Sequence, residues 1–437
     1  MKKKLLSMLL VGTMVLGCGT AAFAEEVDMN EDGTINNPEA VEIADGSLSM
    51  WSLFTGGDGE WFKEIADAYN GSEEAKMPVQ VVTLVWEDYY TKLQTAVATG
   101  NGPDIGVSHV SKLYELADTG VVEPITDYLE ELDIDLSKYF TQTSIDSVTF
   151  DDEIYAIPLD THSEIMYYNT DVLAEAGITE EEVLAVKSAE EFDALLEKCK
   201  AALPEDYSVI AMPTSGDDPF RLWYAIYFQM GGTPFVGDGA TEVTLDEEKA
   251  RAAMEYLKSW YDNGYILPGI AKDEHAAFFQ TGKSAFLFAG TWVTGNLTNT
   301  EGLNFGLTTF PLLYGDTPYC WSDSHTLTLP VNPDRTEEET LAAVDFIFNA
   351  STTYGLSWAG SGQIPSATTV NGSEEYAAMP GYAAVKALDY SVYAPLATNY
   401  YGGMKADIIE SLDVYLADGD VDAGWDGLYA AIEANLD

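Results

Sequence analysis

An aromatic ring, a carboxylate and an imidazole occur close together at Trp321, Asp323 and His325. The C–H faces of a neutral sugar stack on flat aromatic rings, and its hydroxyls need fixed donors and acceptors, carboxylates especially. These three residues therefore suit a sugar-binding site. The chain also carries 9 Trp and 26 Tyr, but most aromatic side chains belong to hydrophobic cores, so their number alone does not indicate function.

Three further candidate residues lie at the ends of predicted strands or just after them. Asp58 and Glu60 lie in a glycine-rich loop before a predicted helix, and His109 ends the third predicted strand. Asp58 could equally cap that helix. His109 could equally be an ordinary surface residue, so both alternatives stay open.

Residues 28–39, DMNEDGTINNPE, match the template of a calcium-binding EF-hand loop. Oxygen ligands recur at the template positions, with a glycine at the sharp turn and a carboxylate at position 12. The predicted metal ligands are Asp28, Asn30, Asp32, Thr34 and Glu39. The preceding segment is too short for a firm helix, and the alternative is a polar linker rich in turn-forming residues.

The spacing of histidine and cysteine along the sequence does not match a known metal-binding motif. The chain has four His and three Cys, and none of them shows the spacing of a zinc site, which argues against structural zinc. Cys199 and Cys320 are predicted to be free, buried thiols. No serine-hydrolase, zinc-protease, P-loop or dinucleotide-binding signature is present.

The first 24 residues are typical of an export signal. Three lysines precede an uncharged stretch that is too short to span a bilayer. Residues 15–18, VLGC, favour a lipoprotein signal in which Cys18 becomes lipidated. Residues 22–24, AFA, offer ordinary signal cleavage as the alternative. The mature protein is expected outside the cytoplasmic membrane, as a lipoprotein or in secreted or periplasmic form.

The chain of 437 residues has 20 Lys+Arg and 73 Asp+Glu, a net charge of −53. Such a surface repels polyanions, which makes nucleic acid an improbable partner. With 46% hydrophobic residues, a packed core beneath an acidic surface is expected, organised as two domains or one two-lobed unit.

The pattern of apolar residues predicts alternating strands and helices. Strands are predicted at 48–53, 79–85 and 104–107, and helices at 89–99 and 110–118. This order indicates an α/β fold with mostly parallel sheets. Ligands bind beyond the carboxyl ends of strands in such folds. The loops at 54–60 and 107–111 are therefore the first candidate site.

Four stretches, in matching order and rough spacing, resemble extracellular solute-binding proteins (family 1) of carbohydrate ABC transporters. The strongest is FxxGKSAF at 279–286 followed by GTW at 290–292. The others are GNGPD at 100–104, YAIPL at 155–159 with YYN at 167–169, and WAG at 358–360 with IP at 364–365. The resemblance covers nearly the whole mature chain.

This resemblance implies a two-lobed, periplasmic-binding-protein-like fold (type II), with a ligand cleft and a three-crossing hinge. The crossings are expected near 157–161, 286–290 and 326–330. The predicted organisation is a signal peptide at 1–24, an acidic linker at 25–46, lobe 1 at 47–158 plus 289–327, and lobe 2 at 159–288 plus 328–437.

The resemblance also implies site residues. Trp292, after the predicted hinge strand, is expected in the cleft, with a packed core position as the alternative. Asp160 and His162 at the first crossing are expected to face the cleft or to bond within the hinge. Trp223, next to Arg221, is a candidate from the second lobe.

The implied function is capture of a mono- or oligosaccharide and its delivery to the permease of an ABC importer, by a monomer that needs no cofactor and is not an enzyme. Two alternatives remain. A secreted glycoside hydrolase needs only two suitably placed carboxylates, and a binding protein for a polyamine or peptide would share the fold.

Overall fold

Two β-sheets organise the computed structural model, which describes residues 26–237, 241–271, 274–393 and 401–436. The predicted signal peptide and Cys18 lie outside these residues. The strands are β1 Leu48–Ser52, β2 Val79–Thr83, β3 Ile105–His109, β4 Thr149–Phe150, β5 Glu153–Ile154, β6 Ala156–Pro158, β7 Asp160–Asn169, β8 Ser208–Ala211, β9 Ser284–Gly290, β10 Phe305–Thr308, β11 Cys320–Asp323, β12 His325–Thr328, β13 Ile364–Pro365 and β14 Ser391–Tyr393.

Helices cover the sheets. They are α1 Gly59–Asn70, α2 Tyr89–Ala98, α3 Val110–Asp118, α4 Thr126–Glu131, α5 Gln142–Asp146, α6 Thr170–Glu175, α7 Glu180–Leu184, α8 Ala189–Ala202, α9 Asp217–Gln229, α10 Glu247–Asp262, α11 His275–Gln280, α12 Thr294–Thr298, α13 Glu337–Ser351, α14 Gly355–Ala359, α15 Thr368–Asn371, α16 Glu374–Ala377, α17 Tyr401–Asp418 and α18 Val421–Glu433. Short 3₁₀ segments occur at Pro38–Ala40, Trp86–Asp88, Leu136–Lys138, Thr291–Val293 and Pro380–Tyr390.

The smaller sheet belongs to lobe 1 and has the strand order β2-β1-β3-β12-β6. β1 pairs in parallel with β2 and β3, whereas β12 is antiparallel to both β3 and β6. Helices α1 and α2 connect the parallel strands, as parallel pairing requires. The three strands and two helices predicted in this region are confirmed, with ends that differ by up to two residues.

The larger sheet belongs to lobe 2 and has the order β14-β11-β7-β9-β8, with β10 and β13 also paired to β7. β7 runs antiparallel to β9, β10, β11 and β13. Each sheet thus contains one strand that opposes the others, so both are mixed. The α/β class and the two-lobed architecture are confirmed.

The hinge crossings differ in part from the sequence-based expectation. The chain passes from β6 to β7 at Leu159, inside the predicted 157–161. It returns from β11 to β12 at Ser324, just before the predicted 326–330. The expected crossing at 286–290 is wrong, because β9 is hydrogen-bonded between β7 and β8 within the larger sheet. A third passage follows α14 instead, where β13 joins β7.

The lobe boundaries shift accordingly. Residues 289–323, expected in lobe 1, supply β10 and β11 to the larger sheet. Residues 328–359, expected in lobe 2, pack α13 and α14 into the core of lobe 1. After β13, which pairs with β7, Ala367 and Val370 again lie in that core. The apolar run of β9 is a central sheet strand, and such a strand has the same apolar composition as a buried hinge strand.

The predicted acidic linker is partly folded onto lobe 1. Ile35 is buried in the lobe 1 core and forms an isolated parallel β-bridge with Leu84, next to β2.

Cys199 and Cys320 are free and buried, as predicted. Among the described helices, none is long and apolar enough to cross a membrane.

Candidate functional site

Three histidines meet where the two sheets adjoin. His109 ends β3 and lies opposite His325 at the start of β12, because these strands are antiparallel. His162, on β7 of the other lobe, contacts both. The ring centroid of His325 lies 4.2 Å from that of His162 and 4.7 Å from that of His109. The topology therefore joins residues that are far apart in sequence.

A buried carboxylate holds two of these rings. Asp160 has no exposed surface and accepts hydrogen bonds from the backbone N–H of His325 (3.0 Å) and the indole Nε1 of Trp358 (2.7 Å). Its carboxylate also lies 2.9 Å from Nδ1 of His325 and 3.3 Å from Nδ1 of His162. We call Asp160, His162, His325 and Trp358 the Asp160 hub.

Burial and neighbouring charges shift the pKa values of the Asp160 hub and of His109. Although burial alone would raise the pKa of Asp160, the neighbouring His325 and His162 hold it below its usual value. Burial lowers the pKa of His109 well below its usual range, and lowers that of His162. Burial also opposes the charged form of His325, but Asp160 overcomes this effect and raises the pKa of His325.

Tyr90 fixes the third histidine. Its hydroxyl accepts the backbone N–H of His109 at 2.9 Å and lies 2.8 Å from Nδ1 of the same residue. Trp86 completes this side of the site, with its ring centroid 5.3 Å from that of His109. Trp86 lies in the 3₁₀ turn before α2 and Tyr90 in the first turn of α2, so lobe 1 contributes both aromatic rings to the site.

Lobe 2 presents two indoles with a guanidinium between them. The guanidinium carbon of Arg221 lies 4.9 Å from the ring centre of Trp292 and 4.7 Å from that of Trp321. Both indoles also contact His162, at 5.6 and 5.8 Å between ring centres. Gly290 is required beside Trp292, because a Cβ there would lie 1.8 Å from the indole ring. We call Arg221, Trp292 and Trp321 the tryptophan–arginine stack.

Several buried polar atoms next to this stack have no hydrogen-bond partner among the described residues. They are the indole Nε1 of Trp321 and both carboxylate oxygens of Glu164. Burial raises the pKa of Glu164 well above its usual range, which favours the neutral form. Arg221 pairs with Asp218 at 2.7 Å. The stack thus lies beside unused hydrogen-bonding capacity.

Asp58 of lobe 1 is linked through Gln363 to the turn that carries Trp292 of the tryptophan–arginine stack. It precedes α1, but its side chain does not cap that helix. Its Oδ2 accepts a bond from Gln363 at 3.2 Å, and its buried Oδ1 has no partner among the described residues. Burial raises its pKa to about 6. Thr291 donates to Gln363 at 2.9 Å, which ties this group to the Trp292 turn.

The two lobes touch across the cleft. Asp323 of lobe 2 accepts hydrogen bonds from the hydroxyl (2.5 Å) and the backbone N–H (3.3 Å) of Ser111 in lobe 1. A Cβ on Gly57 would lie 2.6 Å from the side chain of Asn296. The site is consequently enclosed between the two sheets.

Most predicted ligand-binding residues converge here, but two do not. The converging ones are Asp58, His109, Asp160, His162, Trp292, Trp321, Asp323 and His325. Glu60 is exposed on α1. Trp223 is buried in the lobe 2 core, where it stacks on Tyr227 and donates to the carbonyl of Ala250. Its place in the apolar face of α9 explains the difference.

Sequence reasoning missed Arg221, Glu164, Tyr90 and Trp86 as site residues. Arg221 had a signal, since it interrupts an aromatic helix and follows two aspartates at helical spacing. Spacing along the chain also gave no sign that the histidines meet. His109, His162 and His325 each place one possible ligand atom within 4.8 Å of the others.

The calcium-like loop is folded by its own side chains. Asp32 accepts bonds from the backbone and hydroxyl of Thr34, at 3.0 and 2.8 Å. Asn30 bonds to Thr34 and Asn36. Glu39 lies in the following 3₁₀ turn. Cation binding by this loop stays a prediction.

A sequence profile described as "bacterial extracellular solute-binding protein" matches residues 64–384. The maltotriose-binding protein of Pyrococcus abyssi is 23% identical over 286 residues, which are 65% of this chain and 57% of that protein.

Solved structures share the fold at low sequence identity. An ABC substrate-binding protein from Listeria monocytogenes in complex with cycloalternan has a TM-score of 0.74 at 17% identity, covering 89% of this chain and 98% of the other. UgpB from Mycobacterium tuberculosis in complex with glycerophosphocholine has a TM-score of 0.76 at 17% identity, covering 90% and 98%. One fold thus accommodates different solutes.

Proposed function

This chain belongs to the family of bacterial extracellular solute-binding proteins, and we propose that it captures a sugar or oligosaccharide between its lobes for an ABC importer. Members of this family bind solutes, and the chain is accordingly an exported binding protein. The sugar, the permease partner and a monomeric state are parts of the proposal. The named relative that binds maltotriose supports the solute class.

The observation that carries the proposal is the tryptophan–arginine stack beside the histidine cluster. Trp292 is partly exposed and Trp321 is buried, and the Arg221 guanidinium lies over both indole rings. The Trp321 indole N–H and an oxygen of Asp58 have no partner among the described residues. A sugar needs both kinds of contact at once, since its C–H faces stack while its hydroxyls bond. Arg221 pairs with Asp218, and Lys405, which lies over the Trp321 ring, pairs with Asp217. Because aspartates balance these positive charges, the stack suits a neutral ligand.

Closure supplies the transport signal in this proposal. A ligand that touches both lobes stabilises the closed form by its greater affinity for that form. Asp323 and Ser111 already join the lobes, and a bound sugar adds contacts from Asp58 and Trp292 on opposite sides. The permease then distinguishes loaded from empty protein by shape.

A thermal-shift panel tests the solute class. The panel contains neutral oligosaccharides, polyamines, short peptides and glycerophosphodiesters. A ligand at 100 times its Kd adds about 2.7 kcal/mol to the free energy of unfolding. We expect at least one oligosaccharide to raise Tm. If only a polyamine, peptide or phosphodiester does so, the sugar proposal is wrong.

The same sugars distinguish binding from hydrolysis. A glycosidase needs one carboxylic acid and one carboxylate across the scissile bond, and Asp58 and Asp323 both border the cleft. We propose binding without turnover. Chromatography of each sugar after prolonged incubation should show unchanged starting material, and product formation would contradict the proposal.

Membrane attachment and calcium binding are two separate proposals. Lipidation of Cys18 would tether the protein to the outer face of the membrane, and mass spectrometry of the mature N-terminus separates this from cleavage after Ala24. Calcium bound by the 28–39 loop should give calorimetric heat that is lost in Asp28→Asn. Absence of heat in the unaltered protein would remove the calcium proposal.

A further inference from the structure

We propose that His109, His162 and His325 form a binding site for a divalent first-row transition metal such as Zn²⁺, which joins the two lobes. This site is additional to the proposed sugar function and does not depend on it. The three side chains each offer one ligand atom, and these atoms lie within 4.8 Å of one another. Tetrahedral zinc binds histidine nitrogens at about 2.0–2.1 Å, which holds neighbouring nitrogens roughly 3.4 Å apart. Small side-chain rotations would complete the site.

The outward nitrogens of these rings are already fixed as metal-binding histidines usually are. A ligating histidine commonly donates its second ring N–H to a carboxylate or another oxygen, which sets the tautomer and the ring orientation. Here Nδ1 of His325 and Nδ1 of His162 both face Asp160, at 2.9 and 3.3 Å. Nδ1 of His109 faces the Tyr90 hydroxyl at 2.8 Å.

This arrangement leaves Nε2 of each ring as the ligand atom. Among the described residues, no hydrogen bond engages any of the three Nε2 atoms. The Tyr90 oxygen has two lone pairs, so it can accept both the His109 backbone N–H and its Nδ1–H. All three rings can thus adopt the tautomer with a free Nε2 lone pair.

The donor set selects the class of metal. Imidazole suits Zn²⁺, Cu²⁺ and Ni²⁺, whereas Ca²⁺ and Mg²⁺ require oxygen ligands. Three histidines also leave a fourth coordination position open, as in many zinc sites that bind water or an exogenous ligand. Asp58, whose buried Oδ1 has no partner among the described residues, interacts electrostatically with His325.

The ligands come from both lobes. His109 and His325 belong to the smaller sheet, and His162 belongs to the larger one. A bound ion would therefore crosslink the lobes at the hinge end of the cleft. We expect the metal to favour the closed form even without a sugar.

The test is a Co²⁺ titration of the full protein after removal of metal with a chelator. Co²⁺ reports its own coordination, because nitrogen ligation in a four-coordinate site gives strong visible absorption. The many surface carboxylates of this chain do not give that signal. We expect saturation at one equivalent and displacement of the signal by Zn²⁺. Small-angle X-ray scattering should show a more compact protein when metal is bound.

Single variants identify the ligands. His109→Gln, His162→Gln and His325→Gln should each weaken Co²⁺ binding by more than about tenfold, since altering even the outer partners of ligands costs 10–100-fold. His275→Gln is the matched control, because His275 is the remaining histidine and is also buried. Thermal melting of each variant without metal shows whether it is folded.

Two results would overturn the proposal. One is the absence of the visible spectrum in the unaltered protein. The other is an equal spectrum in His162→Gln, provided that this variant melts cooperatively. Neither result bears on the thermal-shift panel with sugars, so failure of the metal site and failure of the sugar proposal are distinguishable.

Discussion

The Asp160 hub and the tryptophan–arginine stack meet at His162, and the buried carboxylate in the hub is paired whereas buried polar atoms beside the stack are not. Asp160 accepts hydrogen bonds from a backbone N–H and an indole N–H and lies against two imidazoles. Beside the stack, the Trp321 N–H and the Glu164 carboxylate have no partners among the described residues. A satisfied buried network stabilises a fold, whereas unsatisfied buried groups cost free energy unless a ligand pairs with them.

This difference assigns separate roles to two adjacent regions. The hub ties β7 to β12 through the contacts of Asp160 with His325, and we expect the stack, with the unpaired Trp321 N–H, to contact the ligand. Variants of the hub should therefore change stability more than affinity. Variants of the stack should do the opposite.

The largest expected effect is the loss of stability in Asp160→Asn. An amide cannot accept hydrogen bonds from all the donors that converge on this carboxylate, and breaking a buried charged network costs about 4 kcal/mol. Urea denaturation should show this decrease in the free energy of unfolding. Asp316→Asn, at an exposed turn, is the control and should change it by less than about 0.5 kcal/mol.

The second effect is on affinity. Trp292→Ala should weaken binding of the preferred sugar about 30-fold, or about 2 kcal/mol, because it removes a ring face from the cleft. Calorimetric titration measures this change, and Tm without ligand should fall much less than in Asp160→Asn. Trp223→Phe, in the lobe 2 core, should leave affinity unchanged. If Trp292→Ala binds normally, the stack is not the ligand-binding surface.

The third effect is a pH dependence that comes from Asp58. Its pKa is raised to about 6 when folded, so the folded state binds the proton more tightly than the unfolded state. Stability is therefore lost as pH rises through the range between its ordinary value and about 6. His325 and Asp160 are the charged neighbours that act on it.

Asp58→Asn removes this titration. Relative to the variant, the unaltered protein should lose about 1.4 kcal/mol between about pH 5 and about pH 7.5. Denaturant melts across this range measure the difference. Parallel pH profiles for the two proteins would contradict the burial of an ionisable Asp58.

The smallest effect is expected from Trp321→Phe. This change keeps an aromatic ring and deletes the unpaired indole N–H. If a sugar hydroxyl accepts that hydrogen bond, affinity should fall about fivefold, or about 1 kcal/mol. Trp425→Phe, on α18 away from the cleft, is the matched control. An unchanged affinity in Trp321→Phe would leave stacking as the only role of Trp321.

The sequence predicted the fold class, the first strands and most of the cleft residues, because local periodicity and short motifs carry that information. Asp58 and His109 followed from the rule that ligands bind at the ends of strands. The hinge was harder to locate. β9 is apolar from Ala285 to Ala289, and a central strand of a buried sheet has the same composition as a hinge strand.

Contacts between distant segments could not be read from the sequence. His109, His162 and His325 have no metal-site spacing and meet only because β3, β7 and β12 are neighbours in space. Trp223 and Trp292 are the same residue type, yet one is a core residue and the other a cleft residue. The orientation of α9 buries Trp223, whereas Trp292 lies in the turn after β9, and single-sequence patterns do not determine either placement.

A crystal structure with the oligosaccharide that raises Tm most would test the central claim directly. We expect the sugar between the two sheets, with a ring face against Trp292 or Trp321 and a hydroxyl bonded to Asp58 or to the Trp321 indole N–H. A sugar bound elsewhere on the chain, or a different solute occupying the cleft in its presence, would contradict the account.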